Sequence, residues 1–275
     1  MHLRLGVTAL LVAGALAACV SGSSRQSTAQ ELTSLLASTH RAPQNRARDV
    51  YRHPKETLLF FGIRPEMTVL EVWPDPGGWY TEVLAPLLRD KGHYYAAIVA
   101  PESGDSYIEK RRADFEAKLA ADPQLYDKVS VVSLPEDGSD VVPPGTLDMV
   151  VTFRNMHNWM ARGSAARVFG TLYRALKPGG ILGIEQHRGN PAQAQDPEAK
   201  SGYVNEEYAI KLIEAQGFRL VGKSEVNANP KDTKDYQQGV WTLPPTYRLG
   251  DKDRDKYAAI GESDRFTMRF VKRLK

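Results

Sequence analysis

The chain has a single cysteine among its 275 residues, Cys19, so no disulfide can form within it. No stretch carries charge of only one sign at length. Lys and Arg number 36 against 33 Asp and Glu, for a formal net charge of +3, and the densest basic run is Lys110-Arg111-Arg112. No basic segment is interleaved with aromatics, which argues against a dedicated nucleic-acid-binding protein, and KRR at 110–112 reads as a solvated helix face. No apolar run reaches the roughly 20 residues of a comfortable membrane span. What is present is a hydrophobic content of 42%, enough over this length to bury one large α/β domain or two small ones.

The first 24 residues stand apart from the fold. MHLR supplies a positive charge, and LGVTALLVAGALAA follows as an apolar run of about the length of a signal-peptide core. It closes on Leu16, two alanines and Cys19, which resembles the lipobox of bacterial lipoproteins, where the cysteine is lipidated and becomes the mature N-terminus. A free thiol in an exported chain needs a reason, and lipidation supplies one. The resemblance implies a signal peptide over 1–18, a lipidated flexible tether over 19–30 and a domain over 31–275. Val20, rather than Asp, after the cysteine implies sorting to the outer membrane of a Gram-negative bacterium, on its periplasmic side.

From residue 29 onward, helical and strand-like segments alternate. Strands are predicted at 67–73, 94–100, 128–134, 147–153, 181–187, 218–226 and 265–273, several of them continuous β-branched runs suited to burial on both faces. Helical spacing marks 29–39, a segment broken or started at Pro54, 79–90, 106–121, 160–176 ending in a KPGG turn, and 205–217. Helices between strands predict right-handed crossovers and a mainly parallel sheet, whose ligands bind outside the carboxyl ends of the strands. The positions to examine are therefore 73–79, 100–104, 134–138, 153–159 and 187–191.

One such position is dense in functional groups. In TFRNMHNWM (152–160), Arg154 can clamp a carboxylate or phosphate, Asn155 and Asn158 offer amides, and His157 has the chemistry of a general base in a loop. Trp159 reads as packing. Glu185 and His187, two apart on a strand, project from one face and could join His157 as an acid–base pair. Glu185 could equally pair with an arginine below the pocket. Two histidines and a carboxylate without a tight spacing do not make a metal motif, so no metal is assigned. GESDR (261–265) could fold back over the sheet edge or cap the last strand.

Seven strands with no helix between the last two, the phrase ALKPGGILGIEQH, and GIRPEMTVLEV before the first strand resemble class I S-adenosylmethionine-dependent methyltransferases over roughly residues 45–273. YRHPKETLLFF, EVWPDPGGWYTEVLAP, TFRNMHNWM and ESDR resemble, more narrowly, a subgroup of exported methyltransferase-like proteins. The resemblance implies a Rossmann-like, seven-stranded, mostly parallel sheet with helices on both faces. It also implies S-adenosylmethionine as cofactor and a small metabolite as substrate. Carried residue by residue, it places the cofactor on Glu71, Asp75, Gly77, Gly78 and Glu102, and the chemistry on His157, Arg154, Asn155 and His187. Within the family's acid-x-Gly-x-Gly-x-Gly pattern, Glu71 matches the acid and Gly77 the last glycine, while Trp73 and Asp75 stand at the first two glycines. The acid expected at the end of the second strand falls on Ile98. An exported chain also lies away from the cytosol, where S-adenosylmethionine is made. Two readings follow: a lipid-anchored methyltransferase, or a remodelled ligand-binding protein on the same fold.

Overall fold

The structure, a computed structural model, describes residues 25–99 and 106–274; Cys19 and Glu102 lie outside the described residues. A seven-stranded sheet forms the centre, in the order β3-β2-β1-β4-β5-β7-β6. Its strands are β1 (Thr68–Val72), β2 (His93–Val99), β3 (Ser130–Leu134), β4 (Leu147–Phe153), β5 (Leu176–His187), β6 (Phe218–Ser224) and β7 (Arg265–Lys272). Neighbours are parallel except around β7, which runs antiparallel to both β5 and β6. The strand order reverses between β1 and β4, which makes their carboxyl ends the place for a ligand.

Alternation along each strand sends side chains to two separate cores. On β1, Leu70 and Val72 join one core with Trp159, Phe169 and Ile213, while Val69 joins the other with Phe61, Val83 and Leu84. Helices cover both faces. A helix over 25–37 (α1), α4 (Pro54–Phe61), α5 (Thr81–Leu88) and α6 (Ser106–Ala121) serve the second core. On the first lie α8 (Met156–Ala161), α9 (Ala165–Ala175) and α10 (Glu206–Glu214). The short helices α2 (Pro43–Arg46), α3 (Asp49–Arg52) and α7 (Pro123–Tyr126) complete the chain up to β3, and α11 (Arg254–Ile260) precedes β7. Gly183 lets β5 approach α4: a Cβ there would meet the Phe61 ring at 2.6 Å.

The elements depart from the sequence reading in three places. Helix α1 starts at residue 25, inside the stretch expected to be a flexible tether. Thr28 and Leu32, one turn apart, are both buried and dock it. The segment around Pro54 does break as its proline predicts, into α3 and α4 on either side of His53, whose φ is 41°. The helix expected over 160–176 is likewise two, separated at Gly163. The KPGG turn is part of β5, where pairing shifts register between Leu147 and Met149 and absorbs the extra residues as a bulge. Among the described residues, no helix is long and apolar enough to cross a membrane.

Candidate functional site

A cavity of about 570 Å³ opens at the carboxyl ends of β1, β2 and β4, where the strand order reverses. The loop after β1 forms its first wall. Trp73 has φ 49°, the left-handed conformation glycine adopts most easily, and its backbone N–H donates to the Ala97 carbonyl at 2.8 Å. The backbone thus holds the shape a glycine would give, and the indole is added to the cavity wall. That ring meets Trp159 edge-on at 5.7 Å and lies under the Arg162 guanidinium at 5.0 Å. Trp159 itself is fully buried packing.

Glu71 and Asp75 both line the cavity. Glu71 accepts hydrogen bonds from Tyr94 (2.5 Å) and Thr81 (3.3 Å), and burial pushes its carboxyl up to about 8. It is therefore neutral at pH 7 and presents no negative charge. Gly77 and Gly78, expected to hold the cofactor, do not line the cavity. Gly78 (φ 59°) closes the turn through its N–H to the Asp75 carbonyl at 2.8 Å. A Cβ on it would lie 2.8 Å from Cε of Lys118, whose ammonium is paired with Glu82. Gly78 is thus used for close packing of the turn against α6, while a Cβ on Gly77 would meet the Asp75 carboxylate at 2.9 Å. Ile98 is buried at the end of β2 and presents an apolar side chain where the family places an acid.

The opposite wall is charged. Arg154, also left-handed at φ 61°, donates its backbone N–H to the Glu185 carbonyl (2.7 Å) and its guanidinium to the Glu185 carboxylate (2.9 Å). Burial lowers its proton affinity, but Glu185 and Glu262 more than offset this and raise it overall. Glu185 also takes Arg265 at 3.1 Å. Glu262, in the segment before β7, is shared by Arg48 (2.6 Å), Arg52 (3.3 Å) and Arg265 (3.3 Å). It is buried, which alone would raise its carboxyl; Arg52 and Arg265 overcome that and hold it near 2.

Asn155 caps the start of α8, and its side-chain amide is committed to the Val72 carbonyl (2.8 Å) and Thr152 Oγ1 (3.3 Å). It ties the end of β4 to the end of β1. His157 lies in the first turn of α8 rather than in a loop. The Gln186 amide donates to its Nδ1 at 3.1 Å and to the Gly202 carbonyl at 3.0 Å. Because a carbonyl only accepts, that second bond fixes the amide's orientation, and the network puts the imidazole proton on Nε2. Burial lowers the His157 pKa to about 4. In this network His157 is a neutral imidazole that presents an N–H donor. His187 hydrogen-bonds Ser263 at 2.6 Å, lies 5.6 Å from His157 between ring centres, and is pushed well down by burial. Among the described residues, no group of three or more His, Cys, Asp or Glu side chains could hold a metal ion.

No family model and no curated protein matches the sequence. Solved structures do. A SAM-dependent methyltransferase from Aquifex aeolicus is 19% identical, with 84% of this chain and 94% of that chain covered at a TM-score of 0.54. The [4+2]-cyclase SpnF is 16% identical, with 82% and 81% covered at 0.57. A SAM-dependent methyltransferase from Methanosarcina mazei is 14% identical, with 79% and 98% covered at 0.52. The fold is the class I methyltransferase fold. At these identities the likeness carries the architecture and not the chemistry.

The described residues of the cavity do not fit S-adenosylmethionine, which carries a sulfonium cation. Six arginines line the cavity (Arg48, Arg52, Arg111, Arg112, Arg154 and Arg162) against Glu71, Asp75 and Glu262 among the described residues. Of those three, Glu71 is neutral at pH 7 and Glu262 is taken up by arginines; of the six arginines, Arg112, Arg154 and Arg162 have partners outside the cavity lining, in Glu116, Glu185 and Glu136. Ile98 offers no acceptor for a ribose. Arg111 and Arg112 also correct the reading of KRR as wholly solvated: two of its three side chains reach the cavity. Sequence reasoning missed Arg48, Arg52 and Glu262. Its available signal was RDVYR, where two arginines four apart share a helical face.

Proposed function

We propose that this chain is an exported, lipid-anchored ligand-binding protein on the methyltransferase fold, holding a small organic anion in the cavity instead of S-adenosylmethionine. The excess of arginine over ionised carboxylate among the described residues of the cavity carries the reading. A cleft lined by one sign of charge and walled by protein focuses its field on the opposite sign. The solved cyclase of this fold supports it further, because the architecture is not tied to methyl transfer. Isothermal titration of S-adenosylmethionine into the mature chain in detergent tests it. No heat up to about 1 mM is expected, which corresponds to less than about 4 kcal/mol of binding. Saturable micromolar binding would remove this reading.

The second reading is methyl transfer from S-adenosylmethionine to a small metabolite, with Arg154, Asn155, His157 and His187 at the substrate. The sheet order and the cavity's place at the strand-order reversal favour it, and the same titration decides between the two. For either, the partners are a small molecule and a membrane reached through the anchor, with no nucleic acid. The proposed location is the periplasmic side of the outer membrane of a Gram-negative bacterium, through lipid on Cys19. The LAAC sequence and the single cysteine support this placement. Cys19→Ser should move the protein from the membrane to the soluble fraction; retention in the membrane would refute lipid attachment.

A further inference from the structure

We propose that Arg48, Arg52 and Arg154 form a subsite for a doubly charged oxyanion, the phosphate head of a phosphate monoester. The proposal rests on the reading that the cavity takes an anion, and it names the class of that anion. The carrying observation is a charge imbalance within one connected network. Glu262 holds Arg48, Arg52 and Arg265, and Glu185 holds Arg154 and Arg265. Four guanidiniums therefore share two carboxylates, leaving two positive charges uncompensated. A dianion balances that excess at one point, whereas a single carboxylate would leave half of it. Planar guanidinium forks match the geometry of phosphate oxygens.

The imbalance lies on the cavity side. Arg48, Arg52 and Arg154 line the cavity, while Arg265 is buried behind them and donates to the Tyr51 carbonyl. Arg52 bears the strain most directly. It is almost fully buried, and its Nη1 has no hydrogen-bond acceptor. Burial first, and then the charge of Arg154, lower its pKa to about 9, far below the usual guanidinium range. Two neutral groups on the same cavity add to the donor set. The Tyr80 hydroxyl is buried without a partner, and His157 presents its Nε2–H. The Trp79 ring packs against Arg52 at 4.8 Å and also lines the cavity, giving the organic part of an ester an aromatic neighbour.

The test compares phenyl phosphate, inorganic phosphate and benzoate on the mature chain in detergent, by calorimetry and thermal unfolding. Phenyl phosphate should bind tightest and raise the Tm. Weaker binding of inorganic phosphate would identify an ester as the ligand, and equal binding would identify the free anion; both support the subsite. Arg52→Met should weaken phenyl phosphate roughly ten- to a hundredfold, the range for a hydrogen bond to a charged group. Its ligand-free Tm should equal or exceed that of the wild type, because one of four crowded cations has gone. A purely structural arginine would do the reverse, lowering Tm and leaving binding intact, and that result overturns the subsite. Should Arg52→Met fail to fold, Arg48→Met, at a residue about a quarter exposed (24%), probes the same head group, and undiminished binding there also overturns it. Benzoate binding as tightly as phenyl phosphate would overturn the dianion subsite while leaving an anion-binding cavity. Absence of binding by all three would remove both.

Discussion

The two walls of the cavity are built from opposite materials. Along β1 and β2, the positions where the fold's glycines and acids are expected hold Trp73, a neutral Glu71 and Ile98, and Gly78 is turned toward α6. Where β4, β5 and the segment before β7 meet α3, four arginines and two glutamates form a network buried at its centre. The first wall keeps only Asp75 as an acid beside the neutral Glu71, and the second has concentrated charge, although both belong to one fold and one cavity. Backbone architecture therefore fixes where a ligand sits, while side chains at a few strand ends decide its sign.

If that contrast is sound, the charged wall should be the more sensitive to loss of one carboxylate. Glu185→Gln leaves Arg154 and Arg265 without their shared counter-charge, in a position of 0% exposure. Removing one partner of a buried pair costs about 3–5 kcal/mol. Urea unfolding should show the loss as a lower midpoint with an unchanged slope. A change of less than about 1 kcal/mol, the value of an exposed pair, would mean that water already screens the network.

On the β1 wall, Trp73→Gly should cost less, about 1–2 kcal/mol. The half-buried indole loses its contacts with Trp159 and Arg162, but glycine accepts φ 49° without strain, a gain of roughly 1 kcal/mol. Chemical denaturation measures the balance. A net gain in stability would show that Trp73 is kept for the ligand at the expense of the fold.

The sheet was legible because buried parallel strands are written as apolar runs. LDMVVTF (147–153) is β4 to the residue, and SYIEKRRADFEAKLAA (106–121) is α6. The break at Pro54 was announced by its proline, but the one at Gly163, between α8 and α9, was not. The cavity's place was legible from strand order, and Arg154, Asn155, His157, His187 and Asp75 do line it. Their partners were not. Glu262 lies 214 positions from Arg48 in the chain, so no local pattern joins them. The tautomer of His157 depends on Gln186 reaching across from β5, which only packing reveals. Nor was the turn legible: Gly78 packs against Lys118 of α6, a use that looks the same in sequence as a cofactor glycine.

The smallest effect, and the most diagnostic of the β1 wall, is a pH slope. In the folded state Glu71 keeps its proton up to about 8, against an ordinary 4.5 once unfolded. Between those values the folded state binds more protons than the unfolded one, so Glu71 makes stability fall as pH rises, by at most about 1.4 kcal/mol per unit. His157 acts in the other direction. Its pKa is lowered from 6.5 to about 4, so its contribution is intact above 6.5 and lost as pH falls toward 4. His187, also lowered, adds to that loss below 6.5, and Glu262 loses its share only between 4.5 and about 2. The histidines oppose Glu71 below pH 6.5, which leaves 6.5 to 8 as the window where Glu71 acts alone among these groups. Wild-type stability should decline across that window, and Glu71→Gln, which keeps the acceptor for Tyr94 without an ionisable proton, should flatten the decline. An unchanged slope in the variant would mean that Glu71 is ionised at neutral pH, and the β1 wall would then carry the negative charge that a cationic cofactor needs.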